Sequence, residues 1–257
     1  MPTTDPTADR AAALLALHRA PEVLVLANVW DVVSARVVAA VDGVGALATA
    51  SHSIAATFGY ADGEHIPLDL HLDMVGRIAR AVDLPVSMDL EGGYGDPAGT
   101  ARRAWELGVV GGNLEDQRRP FDEAVARVRS VMEALPQFVL NARTDVLLGT
   151  VDDRGAALEE AVRRGRAFLE AGAPVVFVPG AVAREEVVAL VDGLGRGNLS
   201  VISVPGASLP TSELQELGVA RVSTGPFTQR VALTALQDAA AAVVGGGTLP
   251  GTTRALN

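Results

Sequence analysis

Eight short apolar runs alternate with longer amphipathic runs along nearly the whole chain, and this alternation limits the folds that are possible. Most of the short runs are apolar on both faces, as strands of a buried parallel sheet are. The longer runs have the spacing of helices with one apolar face. We predict strands at 23–29, 46–51, 85–91, 109–115, 138–144, 175–179, 199–204 and 220–224. We predict helices at 31–41, 70–82, 97–107, 122–135, 154–171, 184–192, 212–217 and 227–244.

Eight β–α units in 257 residues predict a fold of the α/β class, a single (β/α)8 barrel, or TIM barrel. A doubly wound open sheet has the same alternation and is the alternative. We expect one domain over residues 1–257, because no linker, low-complexity tract or fixed repeat interrupts the pattern. Residues 1–10 and 245–257 are expected to be flexible or subunit-contacting tails, and the interval 52–67 to be a loop over one end of the barrel.

Residues near the predicted helix ends agree with these boundaries. Asp96 precedes Pro97, which is the usual order of an N-cap residue and a proline in the first helical position. Gly108 directly follows a predicted helix, where a C-terminal glycine is favoured. Ser212 and Gln215 have the spacing of a capping box.

Composition narrows the possible functions. The net charge of −10 argues against binding to nucleic acid or anionic membranes. No segment has the roughly 18 uninterrupted apolar residues of a membrane span. The chain has no Cys and all 21 of its basic residues are Arg, which excludes disulfides, thiol nucleophiles and lysine Schiff bases. Because residues 1–10 are polar and acidic, unlike a signal peptide, we expect a cytoplasmic enzyme.

Acidic residues and one arginine gather at the ends of the third, fourth and fifth predicted strands, where barrel enzymes carry their chemistry. Asp89 and Glu91 end the third strand, Glu115 ends the fourth, and Arg143 and Asp145 end the fifth. Side chains two residues apart on a strand share a face, so these groups are expected to meet at the barrel mouth. Carboxylates this close repel one another unless a positive charge lies among them.

A hard divalent cation would supply that charge. Oxygen ligands without clustered His or Cys favour Mg²⁺, or Mn²⁺, over Zn²⁺. Arg143 beside the cation would suit a substrate carboxylate or phosphate. The alternative is that single acids after strands are helix N-caps, as Asp116 or Asp145 could be. The glycine-rich turn at 92–95 lacks the spacing of a dinucleotide-binding loop and predicts close backbone packing under the site.

Five segments at these strand ends resemble the isocitrate lyase/phosphoenolpyruvate mutase superfamily. They occur in the family's order with similar spacing, and the similarity covers nearly the whole chain. The matching segments are 28–31 (NVWD), 58–64 (FGYADGE), 89–96 (DLEGGYGD), 113–117 (NLEDQ) and 141–145 (NARTD).

The resemblance implies a (β/α)8 barrel with one Mg²⁺ and assigns roles to residues. Asp89 would bind the metal most directly, and Glu91 and Glu115 would assist through water. Asp62 would lie near metal and substrate, and Arg143 would bind the acidic group of the substrate. The segment that cradles the substrate carboxylate or phosphonate corresponds to Thr49, Ala50 and Ser51.

Family members are usually tetramers that exchange their last helix, so the resemblance implies a homo-oligomer, a dimer or tetramer, in which 227–244 swaps between subunits.

The chain also departs from the family. Lyases carry a gating loop with an acid Cys after Glu-Asp-Gln, and mutases carry a Lys and an Asn there. Here Gln117 runs through 118–121 directly into a helix, and Gly180 replaces the glutamate expected after the sixth strand.

The retained residues imply a Mg²⁺-dependent lyase, hydrolase or decarboxylase that cleaves a carbon–carbon bond in a small 2-oxo or 2-hydroxy acid through an enolate. The alternatives are phosphonate chemistry, as a phosphoenolpyruvate/phosphonopyruvate mutase or phosphonopyruvate hydrolase, and a catalytically silent barrel that binds an oxo acid. Without Cys, the proton donor is hypothesised to be His52, with Tyr94, Arg118 and Arg119 as further candidates. The remaining histidines are predicted to lie at the surface: His18, His65 and His71.

Overall fold

A ring of parallel strands forms the centre of the protein in the computed structural model, which describes residues 5–256. The hydrogen-bonded order is β1-β9-β8-β7-β6-β5-β4-β3-β2, and every pair is parallel. The strands are β1 (Leu24–Leu26), β2 (Asn28–Val29), β3 (Leu47–Thr49), β4 (Val86–Asp89), β5 (Gly111–Glu115), β6 (Val139–Arg143), β7 (Val175–Phe177), β8 (Leu199–Ile202) and β9 (Arg221–Ser223).

Only Ala27 separates β1 from β2, so the two are segments of one strand position in the ring. β1 pairs with β9 and β2 pairs with β3, which closes the sheet into an eight-position barrel. The predicted TIM barrel is therefore confirmed and the open doubly wound sheet is wrong. All eight predicted strand regions contain a strand, although the second ends at Thr49 rather than at Ser51.

Ten helices accompany the strands in the described part of the chain. Eight correspond to predicted helices, and two were not predicted. They are α1 (Pro6–Arg19), α2 (Val32–Ala39), α3 (Ser51–Thr57), α4 (Leu68–Ala81), α5 (Pro97–Glu106), α6 (Phe121–Ala134), α7 (Arg154–Glu170), α8 (Arg184–Leu194), α9 (Thr211–Leu217) and α10 (Phe227–Val244).

Helix α1 covers the N-terminal end of the barrel. Asp5 caps it by accepting a hydrogen bond from the backbone N–H of Thr7, and Pro6 occupies its first turn. Leu14 is fully buried and packs with residues at the starts of the strands, such as Leu24 and Val110. The strands thus bury one face against the outer helices and the other inside the barrel, which explains runs that are apolar on both faces.

Helix α3 corrects the prediction of a loop over 52–67, because residues 51–57 are helical. Its cap, Ala50, has no side-chain hydrogen bond, so no capping residue in the sequence marks this helix. The predicted cap at Asp96 is confirmed, since its carboxylate accepts from the N–H of Gly99. The predicted capping box is wrong: α9 begins at Thr211, and the side-chain oxygen of Gln215 accepts from the N–H of Val23.

Helix α10 and the residues after it lie largely in solvent. Gln229 is the only buried residue of α10, and 245–256 are exposed throughout. Of the tail predicted at residues 1–10, residues 6–10 belong to α1, while residues 1–4, like residue 257, lie outside the described residues. Among residues 5–256, no helix is both long and apolar enough to cross a membrane.

Candidate active site

A cavity of about 370 Å³ opens at the C-terminal ends of the strands. It contains eight of the nine site residues predicted from the sequence, drawn from four successive strand positions and the loops that follow them. Those eight lining residues are Ala50, Ser51, His52, Asp62, Asp89, Glu91, Glu115 and Arg143.

Asp89 ends β4 and is held by residues around the end of β3. Its Oδ2 accepts a hydrogen bond from the hydroxyl of Ser51 at 2.8 Å. Its backbone N–H donates to Oγ1 of Thr49 at 3.1 Å. Thr49 is buried and does not line the cavity, so it contacts the backbone of Asp89 and is not placed to touch a ligand directly. Ser51 reaches Asp89 because the chain turns into α3 immediately after Ala50.

Glu91 is a buried carboxylate on a strained turn directly after β4. Its φ of 51° lies in the left-handed region, which non-glycine residues rarely adopt. Its Oε1 accepts from the hydroxyl of Tyr94 at 3.0 Å, and its Oε2 accepts from the backbone N–H of Glu64. Burial, reinforced by the negative charge of Asp89, raises the pKa of Glu91 to about 7.

Arg143 lies between two carboxylates. Its Nη1 is 2.5 Å from Oε1 of Glu115, and its Nε is 2.6 Å from Oδ1 of Asp145. Burial disfavours the charge of Arg143, but these two acids outweigh it and keep its pKa above the ordinary value. Burial raises the pKa of Glu115 to about 8, against the opposing effect of Arg143 and with the support of Asp89. Glu115 and Asp145 therefore share the guanidinium of Arg143, and the effect of burial on the pKa of Glu115 outweighs that of the arginine charge.

Asp116 directly follows β5 and binds residues that directly follow β6. Its Oδ2 is 2.9 Å from Nη1 of Arg164 and accepts from the hydroxyl of Thr144 at 2.7 Å. Its Oδ1 accepts from the backbone N–H groups of Arg118 and Asp145 at 2.9 and 3.0 Å. The N-cap interpretation of Asp116 and Asp145 is wrong, because the caps of α6 and α7 are Pro120 and Asp153.

His52 and Asp62 line the same cavity from α3 and the turn beyond it. His52 is half-buried, and its Nδ1 is buried without a hydrogen-bond partner among the described residues. Asp62 is exposed. Arg118, a further candidate for the proton donor, donates to the backbone carbonyls of Asp145 and Leu148. Its guanidinium therefore holds a loop.

Two of the three histidines predicted at the surface are buried, which corrects that prediction. His71 is fully buried on α4, and its Nδ1 lies 3.0 Å from the hydroxyl of Tyr94. His18 is 2% exposed on α1. His65 is exposed, as predicted. A signal existed for His71, which has helical spacing from the apolar residues Leu68 and Val75 of the buried face.

The turn at 92–95 packs closely against its neighbours, as predicted. A Cβ on Gly92 would lie 2.3 Å from the side chain of Gln117, and a Cβ on Gly93 would lie 2.7 Å from Pro97. Gly93 also has a φ of 85°. Helix α6 begins at Phe121, so only three residues separate it from Gln117 and no long gating loop follows β5.

Sequence reasoning missed two polar residues that support the site. Asn28 on β2 links the ends of β3 and β9. Its Oδ1 accepts from the backbone N–H of Gly225, just after β9, at 2.8 Å, and its Nδ2 donates to the carbonyl of Thr49 on β3 at 2.8 Å. Arg221 is fully buried inside the barrel, where Nη2 donates to Oδ1 of Asn113 at 3.2 Å. Burial lowers the pKa of Arg221 to about 10. The sequence did contain a signal for Arg221, because it is a charged residue inside an otherwise apolar predicted strand.

The residues present fit a divalent metal ion. Asp89, Glu91 and Glu115 present hard oxygen ligands to one cavity, and burial together with the charge of Asp89 raises the pKa values of the two glutamates, an effect that a bound cation would oppose. Among residues 5–256, no three acidic or histidine side chains already lie close enough to ligate one ion together. The arrangement suits one direct carboxylate ligand with others acting through water.

Comparison with known proteins identifies the family of the chain. Residues 14–244 match the family described as phosphoenolpyruvate phosphomutase. An uncharacterized protein of Mycobacterium tuberculosis is 32% identical over 240 residues, 91% of this chain and 90% of that protein. An oxaloacetate decarboxylase of Paraburkholderia xenovorans is 29% identical over 249 residues, 91% of this chain and 81% of that enzyme.

A crystal structure from Burkholderia cenocepacia, provisionally named a phosphonomutase, superposes with a TM-score of 0.83. It is 39% identical, and the match covers 90% of this chain and 98% of that one. The family match extends over most of the chain and includes every strand of the barrel and the acidic site. The chain therefore belongs to the phosphoenolpyruvate mutase family of the isocitrate lyase/phosphoenolpyruvate mutase superfamily.

Proposed function

We propose that this protein is a Mg²⁺-dependent enzyme that cleaves a carbon–carbon bond in a small 2-oxo or 2-hydroxy acid. One observation carries the proposal: Asp89, Glu91, Glu115 and Arg143 line a single cavity at the barrel mouth. Three acids can hold a cation there, and the arginine can hold an anionic group of the substrate beside it. The similarity to an oxaloacetate decarboxylase supports this class of reaction.

Asp89 would hold the metal directly, while Glu91, Glu115 and Asp62 would orient its water ligands. Mn²⁺ would satisfy the same oxygen ligands. When bound, the metal supplies a Lewis acid that stabilises the negative charge developing on the substrate as the bond breaks. Ser51 fixes the orientation of the Asp89 carboxylate through its 2.8 Å hydrogen bond.

Arg143 would anchor the substrate carboxylate. Its Nε and Nη1 are held by Asp145 and Glu115, which fixes the plane of the guanidinium and leaves Nη2 without a protein partner among the described residues. Ala50 and Ser51 line the cavity nearby and would contact the same end of the substrate. Thr49 would act only through the backbone of Asp89.

His52 is the proposed proton donor, because its ring lines the cavity and its Nδ1 lacks a partner among residues 5–256. Replacing His52 by Gln is expected to lower kcat, with a smaller change in KM. Unchanged turnover would remove His52 from the mechanism.

Phosphonate chemistry is the second candidate, favoured by the family match and by the relative provisionally named a phosphonomutase. The short segment between Gln117 and α6 speaks against it, because the Lys and Asn that mutases carry in this loop are missing here. Product analysis separates the two reactions. Phosphorus NMR detects a new carbon–phosphorus bond, and coupled reduction detects a 2-oxo acid.

We also propose a homo-oligomer, a dimer or tetramer built on α10. This helix exposes five large apolar side chains: Val231, Leu233, Leu236, Val243 and Val244. Such a face is costly in water and is typical of a subunit contact. Sedimentation of the Leu233→Arg/Leu236→Arg variant is expected to show a smaller species than the wild type.

The central test is a screen of 2-oxo, 2-hydroxy and phosphono acids with and without Mg²⁺. We expect metal-dependent turnover that is lost in Asp89→Ala and retained in Asp83→Ala, whose side chain is fully exposed. Activity that survives Asp89→Ala would refute the metal assignment. Tight binding of oxalate or pyruvate without any turnover would instead indicate a silent oxo-acid-binding barrel.

A further inference from the structure

We propose that the cavity wall opposite the acidic side chains selects a substrate with an apolar alkyl substituent on the carbon adjacent to the oxo group. This inference rests on the proposed function, and it adds the class of substrate. The acids and Arg143 occupy strand positions β4, β5 and β6. The opposite side of the ring is formed by β7, β8 and β9 and by the start of α10.

This opposite wall is almost entirely apolar. It includes Phe177 from β7, Ile202 from β8, Val204 beyond β8 and Phe227 at the start of α10. The hydroxyl of Ser223 and the exposed guanidinium of Arg230 are the polar groups that the described residues place on this side. No carboxylate or amide side chain from β7, β8 or their loops lines it, so a polar substituent pointing there would lose its hydrogen bonds to water.

The backbone around Gly180 excludes a side chain from this part of the wall. The φ of Gly180 is 94°, and a Cβ at this position would lie 2.6 Å from the backbone carbonyl oxygen of Leu147. A residue with a side chain at 180 would therefore force the loop after β6 to move. The closeness of that loop, which brings Leu148 into the lining, leaves no room for a polar side chain at the end of β7.

Two arginines fasten the loop in this position. Arg154 donates from Nη1 to the carbonyl of Leu147 at 3.2 Å and is itself held by Glu186, with Nε 2.5 Å from Oε1. Arg118 donates to the carbonyl of Leu148 from the other side. The loop is thus held by hydrogen bonds from the segment after β5 and from α7, which keep Leu148 in the wall.

A fixed apolar wall discriminates by the fit of alkyl groups. One methyl or methylene placed against such a wall changes affinity by about 10- to 200-fold where it is fully enclosed, and by less where it is partly enclosed. The wall therefore predicts increasing affinity along a series of 2-oxo acids that differ only in the alkyl groups on the third carbon. The acidic side of the cavity would bind the shared oxo-acid end equally throughout that series.

The experiment is calorimetric titration with pyruvate, 2-oxobutanoate and 3-methyl-2-oxobutanoate at saturating Mg²⁺. We expect the Kd to fall with each added methyl, by about tenfold or more over the series. Equal or weaker binding of the larger acids, with pyruvate still bound, would overturn the alkyl-selective wall alone. If none of the three binds, the proposed function fails as well.

A matched pair of variants tests whether the wall is responsible. Val204→Thr keeps the shape of the side chain but adds a hydroxyl to the wall. Val25→Thr makes the same change at an exposed side chain of β1, outside the cavity. We expect Val204→Thr to reduce the affinity ratio of 3-methyl-2-oxobutanoate over pyruvate by about threefold or more, with pyruvate affinity nearly unchanged. Val25→Thr is expected to keep the wild-type ratio. A ratio that is unchanged in both variants, or equally changed, would overturn the assignment.

Discussion

The hydroxyl of Ser51 donates a 2.8 Å hydrogen bond to Oδ2 of Asp89, and this contact joins the first residue of α3 to the last residue of β4. Groups that orient a metal-binding carboxylate typically change metal affinity by about 10- to 100-fold when removed. We therefore expect Ser51→Ala to weaken Mg²⁺ binding by that factor in calorimetric titration. Ser130→Ala on α6 is the control, and equal affinities in the two variants would contradict the role of Ser51.

Asp116→Asn is expected to destabilise the fold. Asp116 and Arg164 form a buried ion pair at 2.9 Å with side chains 1% and 8% exposed. The substitution removes the buried carboxylate charge that faces Arg164 and leaves Glu160, at 2.7 Å, as the remaining acidic partner of Arg164, so we expect a loss of about 1 to 3 kcal/mol of the free energy of unfolding. Urea denaturation measures this loss.

The control for Asp116 is Asp73→Asn, which breaks the exposed pair with Arg77 on α4. Exposed pairs of this kind contribute about 0 to 1 kcal/mol. If both variants lost the same small amount, the pair at Asp116 would contribute no more than a surface contact.

The stability of the protein is expected to depend on pH through His18. Burial, together with the nearby charge of Arg221, lowers the pKa of His18 from 6.5 to about 4. Its Nδ1 lies 2.8 Å from the carbonyl oxygen of Leu14, and its Nε2 is buried without a partner among the described residues. A proton added at Nε2 would place a charge in this buried position, which disfavours the protonated ring in the folded state.

The unfolded chain therefore binds more protons at this position than the folded chain between pH 6.5 and pH 4. Above pH 6.5 His18 is neutral in both states and does not make the stability depend on pH. As the pH falls from 6.5 to 4, the free energy of unfolding decreases by about 3 kcal/mol. The measurement is the free energy of unfolding of wild type minus that of His18→Gln. We expect this difference to decrease from pH 7.5 to pH 4; a constant difference would show that His18 titrates normally.

Gly180→Ala is expected to destabilise the protein more than Gly197→Ala. Both glycines have positive φ, 94° and 80°, so both variants suffer the cost of a left-handed alanine, about 1 to 2 kcal/mol. Only at 180 does the added Cβ also meet backbone, because a Cβ on Gly197 has no atom within 4 Å. Equal losses in thermal denaturation would mean that the loop at Leu147 yields easily.

The sequence predicted the barrel well because its signal is local and repeated. Each buried parallel strand needs an apolar run, and each crossover needs an amphipathic helix, so the eight β–α units could be counted directly. The acids of the site could be predicted for the same reason. The carboxyl ends of successive parallel strands meet at one end of a barrel, which brings Asp89, Glu115 and Arg143 together from separate segments.

Features that depend on distant contacts could not be predicted. Helix α3 has no side-chain cap, and its position is set by the turn that brings Ser51 to Asp89. The partner of Asp116 is Arg164, 48 residues further along the chain, so the local pattern suggested a helix cap instead. His18 belongs to a helix that covers the barrel from below, and its burial depends on that packing.

The sequence by itself therefore determined the class of fold, the order of its units and the oxygen-rich chemistry at the strand ends, because these follow from periodicity and from barrel geometry. The tertiary structure alone decided what surrounds that chemistry. It showed that Arg143 is shared by Glu115 and Asp145, and that the loop at Leu147 packs against Gly180. Such contacts join residues whose separation in the chain carries no information about their distance in space.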